Sequence, residues 1–303
     1  MRNVFFDILK KYMRKDKTLF LVTADMGLGL LDSFEEEFPD RFLNVGIAEQ
    51  NMVGVCAGLC NLGFKPFCYT ISNFLIQRCF EQIRNDVCMH KYPITLVGTS
   101  TGFDNGLLGA THQVLDDIGC LKALPNMAIY SPATNNIIEP ILKEIFSNKG
   151  PAYVRIGKSS IDLPRNSNNI NFFITEKPTA NILLVTHGTS LKNCMDAADK
   201  IKDTDIYCIN KIKPMDKLFA EFVRKYNDII VIEDHFGSSG LYNSICQNLC
   251  ENDLQDLKIY SLSPSDNYEE VVGDSDYFAD KFGYSSLKIK DLVKKIQQKR
   301  YDD

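Results

Sequence analysis

RFLNVGIAEQN, Arg41 to Asn51, joins an apolar run to the start of a glycine-studded helical pattern and carries a carboxylate, Glu49, at the join. A strand that hands over to a helix in this way belongs to an α/β sheet, and such sheets collect ligands at the carboxyl ends of their strands. Glu49 is therefore the first site candidate. The plainer reading is that it opens a helix and complements the positive end of its dipole. The pattern continues as EQNMVGVCAGLCNLG, where Gly54 and Gly58 fall on one helix face and let another backbone approach closely. That face packs either across a subunit contact or on the chain's own sheet.

Outward from this stretch, short β-rich runs alternate with helical patterns up to about residue 157: TLFLVTADM, RFLNVGIA, FKPFCYT, PITLVGTS, NMAIYSP and PAYVRIG. Strands separated by helices predict a mostly parallel sheet covered on both faces. The stretch SSIDLPRNSNNINF, Ser159–Phe172, breaks the pattern as a linker does. A second alternation follows, with strands NILLVTHG, DIYCINK, DIIVIEDH and LKIYSLS and helices near Ser190–Lys202 and Gly240–Glu251. The fold class is thus α/β, in two α/β domains expected over residues 1–165 and 171–303. The lysine-rich end, KIKDLVKKIQQKRYDD, reads as an amphipathic terminal helix with a solvated face.

A chain of 303 residues, 45% hydrophobic and 24% charged, can bury a sizeable core, and its net charge of −5 offers no general attraction to nucleic acid or anionic membrane. Ten cysteines are scattered without a CxxC pair, and Cys56/Cys60 and Cys246/Cys250 are spaced to pack on helix faces. A reducing cytoplasm is expected. The four histidines, His90, His112, His187 and His235, form no metal-binding spacing, so a metal held wholly by this chain is not expected. No apolar run approaches membrane-spanning length.

Three clusters follow strands on the ligand side: TADMG (Thr23–Gly27), NVGIAEQN (Asn44–Asn51) and GLLGATHQVLDDIGCLKALPNM (Gly106–Met127). The second and third, in this order, resemble two motifs of the pyrimidine-binding domain of the transketolase group of thiamine-diphosphate enzymes. NKIKPMDK, VIEDHFGSSGL and DKFGYSSLKIKDL are similar to the family's C-terminal domain, so the resemblance spans nearly the whole chain. It implies that Glu49 hydrogen-bonds a ring nitrogen of the cofactor's aminopyrimidine and thereby helps activate the thiazolium, a role that requires an acid in a dry, shaped site. It also implies that His112 faces the substrate, that Asp25 lies near the thiazolium, and that Phe74 stacks on the aminopyrimidine. A one-residue shift in alignment hands the last role to Leu75 or Ile71. The bland alternatives are a structural histidine, a turn or cap aspartate and a core phenylalanine.

Family members hold the diphosphate through Mg2+ (or Ca2+) bound by a GDG motif, and this sequence has no GDG; the near match VGDSD, Val272–Asp276, falls in the C-terminal part. The chain resembles the second half of a transketolase. A partner is therefore expected, an N-terminal transketolase-like subunit carrying the GDG motif, in an α2β2 heterotetramer with Gly54 and Gly58 at a subunit contact. FEQIRNDVCMHKYPITLVGTSTGFDNGLLGATH is most similar to split, two-chain transketolases, which makes ketol transfer between sugars the first reading. Deoxyxylulose-phosphate synthesis, 2-oxo acid dehydrogenase β-subunit chemistry and, less so, a non-catalytic scaffold remain open. The sequence departs from the family where an arginine precedes PAD, here Ser131 in SPAT, and at Thr99–Thr101, where an acid and a histidine are expected. Arg155 is either a phosphate contact or a structural pair.

Overall fold

A computed structural model describes residues 1–159, 161–163, 169–198 and 201–302. Its strands are β1 (Leu19–Thr23), β2 (Phe42–Asn44), β3 (Lys65–Ile71), β4 (Thr95–Thr99), β5 (Ala128–Tyr130), β6 (Ala152–Ile156), β7 (Phe172–Thr175), β8 (Ile182–Thr186), β9 (Thr204–Cys208), β10 (Lys211–Lys213), β11 (Asp228–Ile232) and β12 (Lys258–Leu262). The helices are α1 (Arg2–Lys15), α2 (Asp32–Glu37), α3 (Glu49–Asn61), α4 (Ser72–Ile76), α5 (Phe80–Gln82), α6 (Asp117–Lys122), α7 (Ile138–Asn148), α8 (Leu191–Ala198), α9 (Phe219–Phe222), α10 (Leu241–Glu251), α11 (Ser275–Lys281) and α12 (Ser286–Asp302).

Two sheets result, ordered β10-β5-β6-β4-β3-β1-β2 and β12-β11-β8-β9-β7. Both are parallel except at one edge, where β10 runs antiparallel to β5 and β7 antiparallel to β9. The central strands, such as LFLVT of β1, are buried along their whole length, as strands covered on both faces must be. On one face of the first sheet α1 contributes Phe5, Phe6 and Leu9, and α7 contributes Ile138, Ile141 and Leu142. Met52, Val53 and Cys56 of α3 cover the other face. That second core is continuous with the second sheet, since Leu96 and Tyr153 share it with Leu183, Val231 and Leu241.

The alternating pattern is as expected, with two differences at the junction. The run DIYCINK is two strands, because the chain leaves β9 at Ile209 and Asn210 and β10 pairs with the first sheet. Asn210 causes the turn away: its backbone N–H and that of Lys211 both donate to the Asn171 side chain at 2.9 Å, and its own amide donates to the Ile170 carbonyl at 2.6 Å. Phe172, placed in the linker, begins β7. The remainder of that linker lies partly outside the described residues; of the helix expected over Ser190–Lys202 the structure has Leu191–Ala198, with residues 199–200 outside the described ones and Ile201 and Lys202 not helical.

Among the described residues all ten cysteines are free, with Cys56 buried as expected and Cys250 exposed rather than packed. No helix among them is long and apolar enough to cross a membrane.

Candidate functional site

The parallel register of β4, β3, β1 and β2 brings four strand ends to one edge, with Thr23 opposite both Asn44 and Tyr69, and Ile71 opposite Thr99. Each strand end leads into one of the segments singled out above. Asp25 follows β1, Glu49 follows β2 as the first residue of α3, Phe74 lies in α4 after β3, and His112 lies in the long loop after β4. The Asn44 side chain ties two of these turns together by accepting from the backbone N–H groups of Asp25 and Gly46, each at 3.0 Å.

Glu49 is 3% exposed, although it stands at a helix N-terminus where a carboxylate is ordinarily solvated. One oxygen, Oε2, accepts from Arg78 Nη1 at 2.5 Å. The Arg78 guanidinium lies over the Phe74 ring, 4.7 Å from its centre. Phe74 in turn meets His112 edge-on, with ring centres 5.4 Å apart. Glu49, Arg78, Phe74 and His112 thus form one contact chain, whose two ends, Glu49 and His112, lie outside the lining of an adjoining cavity. Beside Glu49, burial and then the Glu49 charge push the Cys79 thiol up to about 12, so it is no thiolate nucleophile at neutral pH.

Arg78 and Phe74 line a cavity of about 350 Å3, together with Asn73, Gln77, Gln113 and Asp116. Its far wall comes from the second half of the chain, as Phe236 and Tyr268. Asn73 holds the rim loop by donating to the Thr111 carbonyl at 3.1 Å and the Gln113 carbonyl at 2.8 Å. Gln113 lines the cavity, and its amide nitrogen is buried without a hydrogen-bond partner among the described residues. A larger groove, about 940 Å3, shares none of these residues.

An aromatic face in the cavity, with a buried carboxylate reached through Arg78 behind it, fits the aminopyrimidine half of thiamine diphosphate. The other expected residues fall elsewhere. Asp25 is solvent-exposed in a turn with φ of 49° and does not line the cavity. Leu75, one of the alternatives to Phe74, is fully buried in the core.

Of its two readings, a phosphate contact or a structural pair, Arg155 takes the pair, and its placement as a substrate contact is corrected. It is 1% exposed, and its guanidinium donates to Asp117 from Nε at 3.0 Å, to Asp234 from Nη1 at 2.9 Å and to the Val114 carbonyl from Nη2 at 3.0 Å. Burial works against its charge, but Asp117 and Asp234 hold the pKa above the ordinary arginine value. Burial pushes the Asp234 carboxyl up, yet Arg155 and His187 bring it below the ordinary carboxylate range. Asp234 follows β11, so this cluster joins the two sheets. Gly102, with φ of 54°, lets Asp234 approach, because a Cβ there would collide with its carboxylate.

Next to it, burial lowers the pKa of His235, whose Nε2 accepts from the Ile118 backbone N–H at 3.2 Å. The Phe236 backbone N–H donates to the Leu115 carbonyl at 2.8 Å, which fixes the cavity wall to the first sheet's loop. Ser131, the position where the family's arginine is expected, is also fully buried here and bonds His187 Nδ1 at 2.8 Å. The residue at this position therefore takes part in the contact between the sheets.

Arg78, Phe236 and Tyr268 were not singled out from the sequence. Arg78 lies one helical turn beyond Phe74, a spacing that would have paired them once Phe74 was chosen. No local signal points to Phe236.

Compared with known proteins, residues 1–164 match the family model "Transketolase, pyrimidine binding domain" and residues 174–267 match "Transketolase, C-terminal domain". The chain is 29% identical over 316 residues to a putative transketolase C-terminal section of Methanocaldococcus jannaschii, covering 98% of this chain and 95% of that one. It is 36% identical over 281 residues to the 1-deoxy-D-xylulose-5-phosphate synthase of Clostridium perfringens, covering 88% of this chain but only 45% of that protein's length. A solved structure described as a split gene transketolase, inactive beta4 tetramer, superimposes with a TM-score of 0.84 at 26% identity over 97% of each chain.

Proposed function

The chain belongs to the transketolase family, and from that premise we propose that it is the C-terminal subunit of a two-chain, thiamine-diphosphate-dependent transketolase that moves a two-carbon ketol unit between sugars. The observation that carries this reading is on α3: the helix begins with buried Glu49 and, one and two turns later, presents Gly54 and Gly58 to solvent. Apart from the adjoining residues and the backbone of α3 itself, no atom of the described residues lies within 4 Å of a Cβ built at either glycine. A partner seated on that face would come within about two helical turns of Glu49 along the helix. In this reading the partner is an N-terminal transketolase-like subunit that holds Mg2+ (or Ca2+) and the diphosphate, in an α2β2 assembly.

When bound, the cofactor supplies an electron sink for breaking a carbon–carbon bond beside a carbonyl. With the cofactor bound, Glu49 would hold a proton against the pyrimidine nitrogen, Phe74 would cover one ring face, and His112 would donate a hydrogen bond to a substrate oxygen. The experiment mixes the chain with a cognate N-terminal subunit, thiamine diphosphate and Mg2+ and assays glycolaldehyde transfer from a ketose phosphate. Activity requiring both chains is the expected result. A complex that forms but transfers nothing from any ketose would reject it. The 36% identity to a deoxyxylulose-phosphate synthase favours a second reading, condensation of pyruvate with an aldose phosphate, and pyruvate consumption in the same assay distinguishes the two.

Gly54→Leu is expected to leave the isolated chain folded, with its thermal midpoint unchanged or raised, because the new side chain meets open space and improves helix propensity. It should abolish co-elution with the partner in size-exclusion chromatography, and normal assembly would place the contact elsewhere. His112→Ala is expected to lower kcat/KM about 10- to 100-fold, the equivalent of one or two hydrogen bonds to substrate, with little change in the thermal midpoint.

A further inference from the structure

Arg78 stands between the cavity and Glu49, since Arg78 and Phe74 line the cavity and Glu49 does not. It makes the two contacts that the reading above, on which this inference rests, assigns to the cofactor's pyrimidine ring. Its Nη1 donates to Glu49 Oε2 at 2.5 Å, and its guanidinium carbon lies over Phe74, 4.7 Å from the ring centre. A guanidinium and an aminopyrimidine share the necessary chemistry: each is flat, offers N–H donors along an edge and stacks on an aromatic face.

We propose that Arg78 is a stand-in for the aminopyrimidine, holding its place in the empty subunit and released when the ring arrives. A ring that takes the same Oε2 and the same face of Phe74 must displace the guanidinium, so loading is a displacement. The surroundings suit a swing. The side chain is 45% exposed and can return its charge to water, while the Arg78 backbone stays anchored because its carbonyl accepts from Gln50 Nε2 at 3.0 Å. In the empty subunit the guanidinium spares Glu49 from being a buried carboxylate without a counter-ion.

The test uses the full chain and the free ring half of the cofactor, 4-amino-5-hydroxymethyl-2-methylpyrimidine, with isothermal titration calorimetry and thermal unfolding on wild type, Arg78→Ala, Arg78→Lys and Glu49→Gln. Arg78→Ala removes the competitor and should bind the ring about tenfold more tightly than wild type, a factor of about 1.4 kcal/mol. Its thermal midpoint without the ring should lie below that of wild type and recover when the ring is added. Lysine, charged but without a planar face, should fall between the two. A residue that only supports the fold would leave ring binding unchanged or weaker on removal, and either result in Arg78→Ala overturns the proposal. Glu49→Gln separates the two layers: if it loses ring binding while Arg78→Ala gains none, the stand-in alone is wrong. Wild-type ring affinity in Glu49→Gln, or no binding by any of the four proteins at millimolar ring, rejects the role of Glu49 and the stand-in with it.

Discussion

Replacing Glu49 with glutamine is expected to lower ketol transfer by the reconstituted complex about 100- to 10,000-fold, the range that a positioned acid or base contributes. Glutamine has the same length and shape, fits the same 3%-exposed site and still presents an oxygen to Arg78. What it lacks is a titratable proton to share with a weakly basic ring nitrogen. The loss should therefore appear in kcat, with subunit assembly by size-exclusion chromatography and the thermal midpoint close to wild type. Near-normal turnover would return Glu49 to the role of a carboxylate at a helix N-terminus. An acid that serves only a helix dipole stabilises by a few tenths of a kcal/mol to about 1 kcal/mol and gains nothing from burial.

The second large effect concerns stability. Arg155→Ala is expected to destabilise the chain by about 3–5 kcal/mol, because it strands the buried carboxylates of Asp117 and Asp234 without their cation. Thermal unfolding should show a fall in midpoint on the order of 10 °C, given the size of the domains. The sign of the pH dependence follows from Asp234, whose folded pKa lies below its ordinary value. Its contribution is fully present above the unfolded pKa of about 4 and is lost as pH falls through the lower folded value. The gap in stability between wild type and Arg155→Ala should accordingly be widest at neutral pH and narrow in acid. A phosphate-binding arginine would behave differently, raising KM for phosphorylated substrates and leaving the midpoint unchanged. That outcome would overturn the assignment of Arg155 to the contact between the sheets.

The cluster around Arg155 also bears on the site. Asp234, His235 and Phe236 are consecutive. The first pairs with Arg155, the second accepts from Ile118, and the third donates its N–H to Leu115 and lines the cavity. The second half of the chain thus builds one wall of the cleft by being bonded to the first at three successive residues. Loosening this contact is expected to move Phe236 as well as to lower stability, so Arg155→Ala should lose activity even at temperatures where it remains folded.

Alternating apolar runs and helical patterns were enough to read the α/β class, because strand burial and helix amphipathicity are written in neighbouring residues. The same holds for the placement of Asp25, Glu49, Phe74 and His112 after successive strands, since a parallel sheet brings consecutive strand ends to one edge whatever the details of packing. Interactions between distant residues were not legible. Arg155 finds Asp117 at a separation of 38 residues and Asp234 at 79, and an arginine at a strand end looks the same in sequence whether it meets two buried acids or a phosphate. The departure of β10 to the other sheet and the seat of Ser131 between the sheets depend on the same long-range packing. So does the pairing of Glu49 with Arg78, 29 residues later, which needs α3 and the turn after α4 to pack side by side before the carboxylate and guanidinium can meet. Local pattern specifies where a side chain leaves the backbone; which partner it meets is set by how the elements pack.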